Sequence, residues 1–401
     1  MVGFVFPNET VVEWDLLIVL YPYITGLVAG AFIVSSLYHV FGMTKLKPVA
    51  RLSLISALAF LLVTPLPLVV HLGRPERALE MFLTPNLSSA MSGFGYIWFF
   101  YLVLVLMEIW LVFRPDIVRY AMASEGTKKT VYSVLALGVY DLSEKALSVD
   151  HKLIKVLAAL GIPIAFLLHG YVGFIFRAVK ANPWWSTPLM PIIFLMSATV
   201  SGIALLMMLY VISCRIRKAP KDYACLRTMA LWLGAFLSVN VVLEGLEVFS
   251  MLYEAEESWA IIRQLITQQI GITYFGIQFV VGSLVPLFVL AVAEVSRLSE
   301  PAKSALRFFS GLCVVVGVFA MRWNVVIGGQ LLSKSLRGFT SYTPPLLGIS
   351  SIVTATALFV MPFIILAIVV HWLPPWPQEA PAARRPMIGF TRGQQTYQSG
   401  R

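Results

Sequence analysis

Four ionisable side chains stand within long apolar runs of this sequence: Glu108, His169, Glu244 and Glu247. An ionisable group inside a membrane span is costly unless it is paired or hydrated, so such residues are candidates for function. Glu244 and Glu247 are three positions apart, which places both carboxyl groups on one face of a helix. Two charges that close in a low dielectric do not both ionise easily, so one carboxyl would hold a transferable proton. The spacing therefore predicts a proton relay, or a structural pairing with a buried base such as Arg322.

A second concentration of charge follows an apolar run at Val70–Met81, in the sequence VHLGRPERALEM. Gly73 and Pro75 are expected to end the helix there. The two arginines and two glutamates of this stretch cancel to zero net charge. Arg74, fixed between the glycine and the proline, is the stronger candidate for function. For Arg77, an interface anchor whose charged end extends to the membrane surface is an equally good explanation.

The composition favours a protein that crosses a membrane many times. The chain has 401 residues, of which 59% are hydrophobic and 12% charged, and its mean hydropathy is +0.83. Soluble domains carry about 25% charged residues. The net charge of +10 comes from basic residues spread over short loops rather than from one basic domain. We therefore interpret it as membrane topology and not as nucleic-acid binding.

Nine segments are apolar over the roughly 20 residues that a membrane-spanning helix needs. The sequence thus predicts an all-α integral membrane protein, a polytopic bundle of nine or ten transmembrane helices. The eighth segment could also run on through the sequence RWNVVIGGQ. The nine segments are Asp15–Phe41, Val49–Leu72, Gly93–Phe113, Leu153–Phe176, Leu189–Cys214, Leu226–Tyr253, Ile270–Val292, Leu306–Met321 and Leu346–Trp372.

The basic residues predict the orientation of the bundle. Of the 30 lysines and arginines, 22 fall in the C-terminal tail and in one set of alternate loops, and 8 fall in the other set. Cytoplasmic loops carry the excess of positive charge, so the N-terminus is expected outside and the C-terminus in the cytoplasm. We expect an N-terminal bundle over residues 1–214 that holds a redox site. A C-terminal bundle over residues 215–373 would hold a candidate proton path, and residues 374–401 would form a mobile cytoplasmic tail.

The histidines and cysteines give little support for a metal or a prosthetic group. The three cysteines lack CxxC-type spacing, so an iron–sulfur cluster is not expected in this chain. A bis-histidine haem is disfavoured, because His39 and His371 stand at the inner ends of spans, His71 ends its own helix and His151 lies in a loop. No nucleotide-binding motif appears. Redox chemistry would therefore use a lipid-soluble substrate or the cofactors of a partner.

Three stretches together resemble the NrfD/PsrC-type membrane subunits. They are HLGRPERALEMFLTPNLSSAMSGFGYIWFFY, WDLLIVLYPYITGLVAGAF and HGYVGFIFRAVKANPWWSTPLMPIIFLMSATVSG. The sequence RWNVVIGGQLLSKSLRGF and the extra C-terminal span are more similar to the longer DsrP-like and HybB-like members, of which the DsrP-like is preferred. This subtype is the basis for expecting a role in sulfur metabolism.

The resemblance implies a subunit that binds menaquinone near the outer surface. It would exchange electrons with a docked ferredoxin-like iron–sulfur subunit, with further cytochrome subunits alongside, and carry neither haem nor cluster itself. Tyr171 matches the family tyrosine that hydrogen-bonds the quinone head group, and His169 would relay protons. The family's asparagine and histidine on the first helix lack clear counterparts here. The remaining expected quinone contacts are Asp15, Tyr21, His71, Arg74 and Arg177.

Three functions stay open at this level. The first is the quinone-interacting oxidoreductase subunit, which would not be catalytic alone. The second is a proton-translocating module driven by the partner subunits, with Glu108, Glu244, Glu247 and Arg322 along its path. The third is a passive membrane anchor, which is the weakest because an anchor does not need so many polar residues in its spans.

Overall fold

The computed structural model describes residues 12–86, 88–253 and 258–376. These residues form helices and loops, with one isolated β-bridge between Leu332 and Phe339. Nine helices in this part of the chain are long and apolar enough to span a membrane, as the sequence predicted. The all-α, multi-pass membrane fold is therefore confirmed. The cytoplasmic tail predicted from residue 377 onward lies outside the described residues.

The helices are labelled in chain order, and several extend beyond the apolar segments. The eighth span continues through Arg322 to Leu331 as one helix, so the sequence RWNVVIGGQ belongs to it. The helices are α1 (Leu16–His39), α2 (Lys47–Val63), α3 (Leu66–His71), α4 (Glu80–Leu83), α5 (Ala90–Ala123), α6 (Gly126–Leu135), α7 (Glu144–Arg177), α8 (Met190–Ile216), α9 (Tyr223–Tyr253), α10 (Trp259–Gln264), α11 (Val285–Val295), α12 (Glu300–Leu331) and α13 (Ile352–Trp372).

A proline divides the second span into α2 and α3. Pro65 has no N–H, so the carbonyl of Leu61, one turn earlier, loses its usual donor. The indole Nε1 of Trp98 on α5 donates to that carbonyl at 2.9 Å. A side chain from a neighbouring helix thus satisfies a backbone group that lipid could not, and it ties the broken span to α5.

The first bundle consists of α1, α2 with α3, α5 and α7. Helix α1 is its central member and is buried throughout its apolar core. It packs on α2, α7, α8 and α12, while α5 packs on α2 and α7. Asp15 begins α1 as its N-cap, since its side chain accepts the backbone N–H of Leu17 at 2.8 Å. Asp15 also contacts His71 at the end of α3, and Trp14 contacts Phe176 near the end of α7, so these three helix ends lie at one end of the bundle.

The second bundle consists of α9, α12 and the seventh span. The seventh span begins as a π-helix over Ile272–Leu284 and continues as α11. It packs closely on α12, and α8 contacts both bundles. Helix α13 returns to pack on α2 of the first bundle. The boundary at residue 214 stays a prediction, and so does the assignment of the two membrane sides.

Ion pairs fasten the other end of the first bundle, which the charge distribution assigns to the cytoplasm. Buried Arg114 of α5 donates from Nη2 to Asp150 of α7 at 2.5 Å. Arg51 of α2 donates to Asp116 of α5 at 2.6 Å. These pairs join α2, α5 and α7, so charge holds these ends of the three helices together.

Two glycines allow α1 and α8 to approach one another closely. A Cβ on Gly30 would stand 2.5 Å from the carbonyl oxygen of Ala198 and 2.6 Å from Cα of Gly202. Backbone atoms cannot move aside as a flexible side chain can, so only glycine fits here.

Replacing Gly30 by alanine is expected to destabilise the fold by about 1–3 kcal/mol, because the added methyl group forces α1 away from α8. Gly245→Ala on α9 is the matched control, since a Cβ there meets nothing within 4 Å. Thermal unfolding in detergent measures both. Equal melting temperatures for the two variants would contradict this close packing.

Candidate functional site

A cavity of about 530 Å³ opens at the end of the first bundle where α1 begins, which the charge distribution assigns to the outer side. Its walls come from α1, α3, the α3–α5 connection, α5 and α7. The volume is within the usual range for a small-molecule site, and most of the lining is apolar. The lining includes Ile18, Tyr21, Pro65, Leu68, His71, Arg77, Met81, Phe94, Trp98 and Phe176.

His71 supplies an ionisable polar group on the cavity wall. Its Nδ1 donates to Oδ2 of Asp15 at 3.1 Å, which fixes the ring and leaves Nε2 as its second nitrogen. Burial raises the pKa of the Asp15 carboxyl, but hydrogen bonds from His71, Ser350 and the Leu17 N–H outweigh it, and the pKa is lowered overall. Asp15 therefore acts as the anionic partner that orients His71, one step behind the cavity.

Tyr21 supplies a second polar group. It is 2% exposed, and its hydroxyl has no hydrogen-bond partner among the described residues. The ring meets Phe94 edge to face at 4.9 Å between centroids, so the side chain is held in place by packing. An unpartnered buried hydroxyl at a cavity is a ready donor to a ligand oxygen.

Tyr171 stands beside this cavity on α7. Its half-buried hydroxyl packs against Gly93 of α5, next to Phe94. The cavity wall on α7 is formed one turn further on by Ile175 and Phe176. The structure thus brings Tyr171 close to the cavity but does not place it on the wall.

His169 points the other way. Two residues before Tyr171 on α7, it is fully buried, and its Nε2 accepts from Nη2 of Arg322 at 3.0 Å. Arg322 also donates to Ser197 Oγ at 2.7 Å and lies 3.9 Å over the ring of Phe194. The predicted pairing of His169 with Tyr171 in one relay is not seen, because residues two apart project from opposite sides of a helix.

Glu244 belongs to a polar network in the second bundle. Its two oxygens accept from Asn240 at 2.8 Å and from Gln278 at 3.0 Å. Asn324 of α12 donates to Gln278 at 2.8 Å and accepts from Thr273 at 2.6 Å. Amide groups, and not the Arg322 guanidinium, therefore bind this carboxyl in the described part of the chain.

Glu247 faces the same network across a small void. The void has a volume of about 20 Å³ and is lined by both carboxyl groups together with Tyr274, Gln278 and Asn324, which is room for one water molecule. The predicted common helix face is confirmed. Gln278 stands in the π-helix, a distortion that occurs often at functional sites.

Two of the predicted arginines stand away from the cavity. Arg74 is exposed and is absent from the lining, whereas Arg77 lines the cavity and pairs with Glu80 at 2.8 Å. Arg177 is exposed at the end of α7. The sequence therefore favoured the wrong arginine for the cavity wall. Pro75 starts a short helical turn that places Arg77, and not Arg74, on the wall.

The histidines, cysteines and carboxylates do not assemble into a metal site within the residues that the structure describes, since no three of them are grouped as ligands there. In the same residues, Cys214, Cys225 and Cys313 are buried free thiols.

Comparison with known families assigns this architecture. The family model described as "Polysulphide reductase, NrfD" matches residues 5–333, which takes in the first eight spans. This chain belongs to the NrfD family. Helix α13 lies beyond the matched region. The resemblance noted in the LGRP motif and its neighbours is thereby confirmed at the family level.

Three relatives of this NrfD-family chain are reductase or oxidoreductase subunits by name. A selenate reductase subunit of Mesobacillus selenatarsenatis is 29% identical, and the match covers 88% of this chain and 84% of the relative. A putative dimethyl sulfoxide reductase membrane subunit of Halobacterium salinarum is 29% identical, with 80% and 70% covered. An Hdr-like menaquinol oxidoreductase integral membrane subunit of Archaeoglobus fulgidus is 25% identical, with 83% and 78% covered.

Sequence reasoning missed two tryptophans of this NrfD-family cavity. Trp14 lines the cavity and stacks on Trp185 at 5.1 Å, and Gln330 holds its backbone N–H and carbonyl, each at 2.8 Å. Trp98 lines the cavity where it repairs the break at Pro65. The proline in the second span was the available signal, since a broken span needs a donor from a neighbour.

Removing the Asp15 side chain by Asp15→Ala is expected to cost about 1 kcal/mol through the lost helix cap. The folded-state pKa is depressed below 3.8, so the stabilisation is complete above that pH and is lost as the pH falls through the depressed pKa. The difference in thermal midpoint between wild type and variant should shrink accordingly. Ser351→Ala removes a serine cap from α13 and should show a loss that does not vary with pH. A pH-independent loss for Asp15→Ala would contradict the carboxylate role.

Proposed function

We propose that this NrfD-family chain is the quinone-interacting membrane subunit of a respiratory oxidoreductase complex. The observation that carries the proposal is the cavity of about 530 Å³ at the outer end of the first bundle. It combines an apolar wall with the free hydroxyl of Tyr21 and the oriented imidazole of His71. A quinone head group asks for this combination, since its ring is apolar and its two carbonyl oxygens need donors.

The chemistry of the lining fits both halves of quinone turnover. Tyr21 can donate to one carbonyl oxygen, and His71, held by Asp15, can donate to or accept from another group through Nε2. Reducing a quinone takes two electrons and two protons, so at least one proton-exchanging side chain is needed. The cavity lies among helices that also face lipid, where a lipid-soluble substrate would enter.

The proposed substrate is menaquinone, and the proposed context is dissimilatory sulfur metabolism in a DsrP-like complex. Support comes from the names of the relatives, which include a menaquinol oxidoreductase subunit and a dimethyl sulfoxide reductase subunit. The proposed partner is a ferredoxin-like iron–sulfur subunit on the outer face, with cytochrome subunits in addition. The position of Trp14 supports docking on this face, because Trp14 lines both the cavity and a surface depression of about 280 Å³ where a partner could bind.

Tyr21→Phe is expected to weaken binding of a menaquinone analogue about fivefold, since a lost neutral hydrogen bond is worth about 1 kcal/mol. The measurement is a fluorescence titration of the purified complex. Tyr23→Phe is the control, because the Tyr23 hydroxyl donates to Val315 O at 3.0 Å on the opposite side of α1. Its affinity should match the wild type.

Two results would count against the proposal. Absence of saturable quinone binding to the wild-type complex would leave only a membrane anchor. Unchanged quinone affinity in both Tyr21→Phe and Tyr171→Phe would show that the head group does not bind at this end of the bundle. A loss of affinity in Tyr171→Phe alone would reassign the hydrogen bond from Tyr21 of α1 to Tyr171 of α7.

A second candidate function is proton translocation through the second bundle. The favouring observation is the network of Glu244, Gln278, Asn324 and Thr273 beside Glu247, which surrounds a water-sized void at membrane depth. Such networks in low dielectric are costly and occur where ions or protons pass. Arg322 is within electrostatic reach of Glu244 and is the nearby fixed cation.

Glu244→Gln is expected to abolish proton movement in excess of quinone chemistry while quinone turnover continues uncoupled, because the amide loses the proton-binding site. Its oxygen still accepts from Gln278, and its N–H can donate to the free Oδ1 of a turned Asn240 amide. Proteoliposomes with a trapped pH indicator measure it. Unaltered rate and coupling in the variant would exclude the relay, and so would a wild-type stoichiometry with no excess protons.

A further inference from the structure

Glu108 is a buried carboxyl group of the first bundle to which the proposed quinone site assigns no role. It has no exposed surface, and neither carboxyl oxygen has a hydrogen-bond partner in the described part of the chain. Its helix α5 packs on α2 and α7, whereas Glu244 and Glu247 stand on α9. The single path predicted for these three carboxyls is therefore divided between two bundles. A carboxyl group left alone at this depth must carry a proton or take up water.

Other buried polar atoms share this situation. Within the described residues, the hydroxyls of Tyr21, Ser35 and Tyr101 and Nε2 of His39 also have no hydrogen-bond partner. Tyr101 and Glu108 are two turns apart on one face of α5, and Ser35 and His39 are one turn apart on one face of α1. The unpartnered atoms of α1 and α5 therefore lie on one face of each helix, and further unpartnered atoms lie on α7, α9 and α12.

Ring contacts show that these two faces meet across the core of the bundle. Near the outer end, Tyr21 of α1 contacts Phe94 of α5 at 4.9 Å. Deeper, Phe32 of α1 contacts Tyr101 of α5 at 5.4 Å. Both helices run in the same direction, so the next turns inward bring the Ser35–His39 face of α1 to the side of the core that holds Glu108. We call this set, Tyr21, Ser35, His39, Tyr101 and Glu108, the polar column.

Each end of the polar column lies near accessible space. At the outer end, Tyr21 lines the cavity. At the inner end, His39 is within electrostatic reach of Arg51 and His151. The Arg51 side chain is 29% exposed, and His151 lines an open pocket at the start of α7. The column therefore extends from the cavity toward the surface that the basic loops assign to the cytoplasm.

A sealed column would be unfavourable at every member, because a buried polar atom without a partner keeps the full cost of its desolvation. Water between the members removes that cost and needs the polar partners that the column supplies. A hydrated line of hydroxyl, carboxyl and imidazole groups is also the usual structure of a proton route within a membrane.

We propose that His39, Glu108 and Tyr101 conduct protons between the inner surface and the cavity. The proposal rests on the proposed quinone function and names the side from which its protons come. His39 exchanges with water at the inner end, Glu108 holds a proton at mid-depth, and Tyr101 passes it toward Tyr21. Electrons would enter from the outer face while protons enter from the inner face, so each turnover would separate charge across the membrane.

The balance is that of the quinone couple. Reduction of one quinone takes two electrons from one-electron iron–sulfur carriers of the partner and two protons through the column, and two O–H bonds form. Oxidation of the quinol runs each transfer in reverse and releases two protons to the inner side. Every side chain of the column ends the cycle in the state in which it began.

The test uses the whole complex in proteoliposomes with a pH indicator in the lumen. A membrane-impermeant reductant added outside addresses only complexes whose outer face points outward. The wild type is expected to take two protons from the lumen for each quinone reduced. Glu108→Gln is expected to slow this uptake at least about tenfold with unchanged quinone affinity, and Glu108→Asp is expected to restore it in part.

Glu125→Gln is the matched control, because Glu125 is an exposed carboxyl just beyond the inner end of α5, and its uptake should equal the wild type. Uptake from outside the vesicle in the wild type would overturn the proposal, and so would unslowed lumenal uptake in Glu108→Gln. Loss of quinone binding in the wild type would instead refute the proposed function. Equal melting temperatures of wild type and Glu108→Gln separate proton transfer from a structural role.

Discussion

A backbone carbonyl inside a membrane must find a donor within the protein, and the cavity of this chain depends on how that requirement is met at Pro65. The proline ends α2 and frees the carbonyl of Leu61, and the indole of Trp98 takes the vacant bond at 2.9 Å. Trp98 thereby ties α5 to the broken span at this level. Pro65 and Trp98 both line the cavity. The contact that satisfies the freed carbonyl is therefore also part of the cavity wall.

Helix α7 divides the polar groups of the molecule between two bundles. Tyr171 packs against α5 beside the cavity, whereas His169 accepts from Arg322 of α12. The quinone chemistry that we propose therefore has its own line of titratable groups in the first bundle, and the Glu244 network is separate from it. The NrfD family match extends over both bundles up to residue 333.

The nine spans followed from the sequence because each needs only a long apolar run, and the LGRP motif and its neighbours were enough for the family. Side-chain placement did not follow, because it depends on how each helix is rotated about its axis. His169 and Tyr171 look like one pair in the sequence, yet two positions turn them to opposite sides of α7. A short turn directs Arg77 rather than Arg74 to the cavity. The donor to the freed Leu61 carbonyl could not be predicted either, because Trp98 lies on another helix.

The central claim is that quinone binds at the outer end of the first bundle, and photolabelling tests it most directly. A photoreactive menaquinone analogue would be cross-linked to the purified complex, and the labelled peptides would be identified by mass spectrometry. We predict label on the segment from α3 to the start of α5, suppressed by excess unmodified quinone and weakened in Tyr21→Phe. Competable label confined to α9 or α13 would contradict the account.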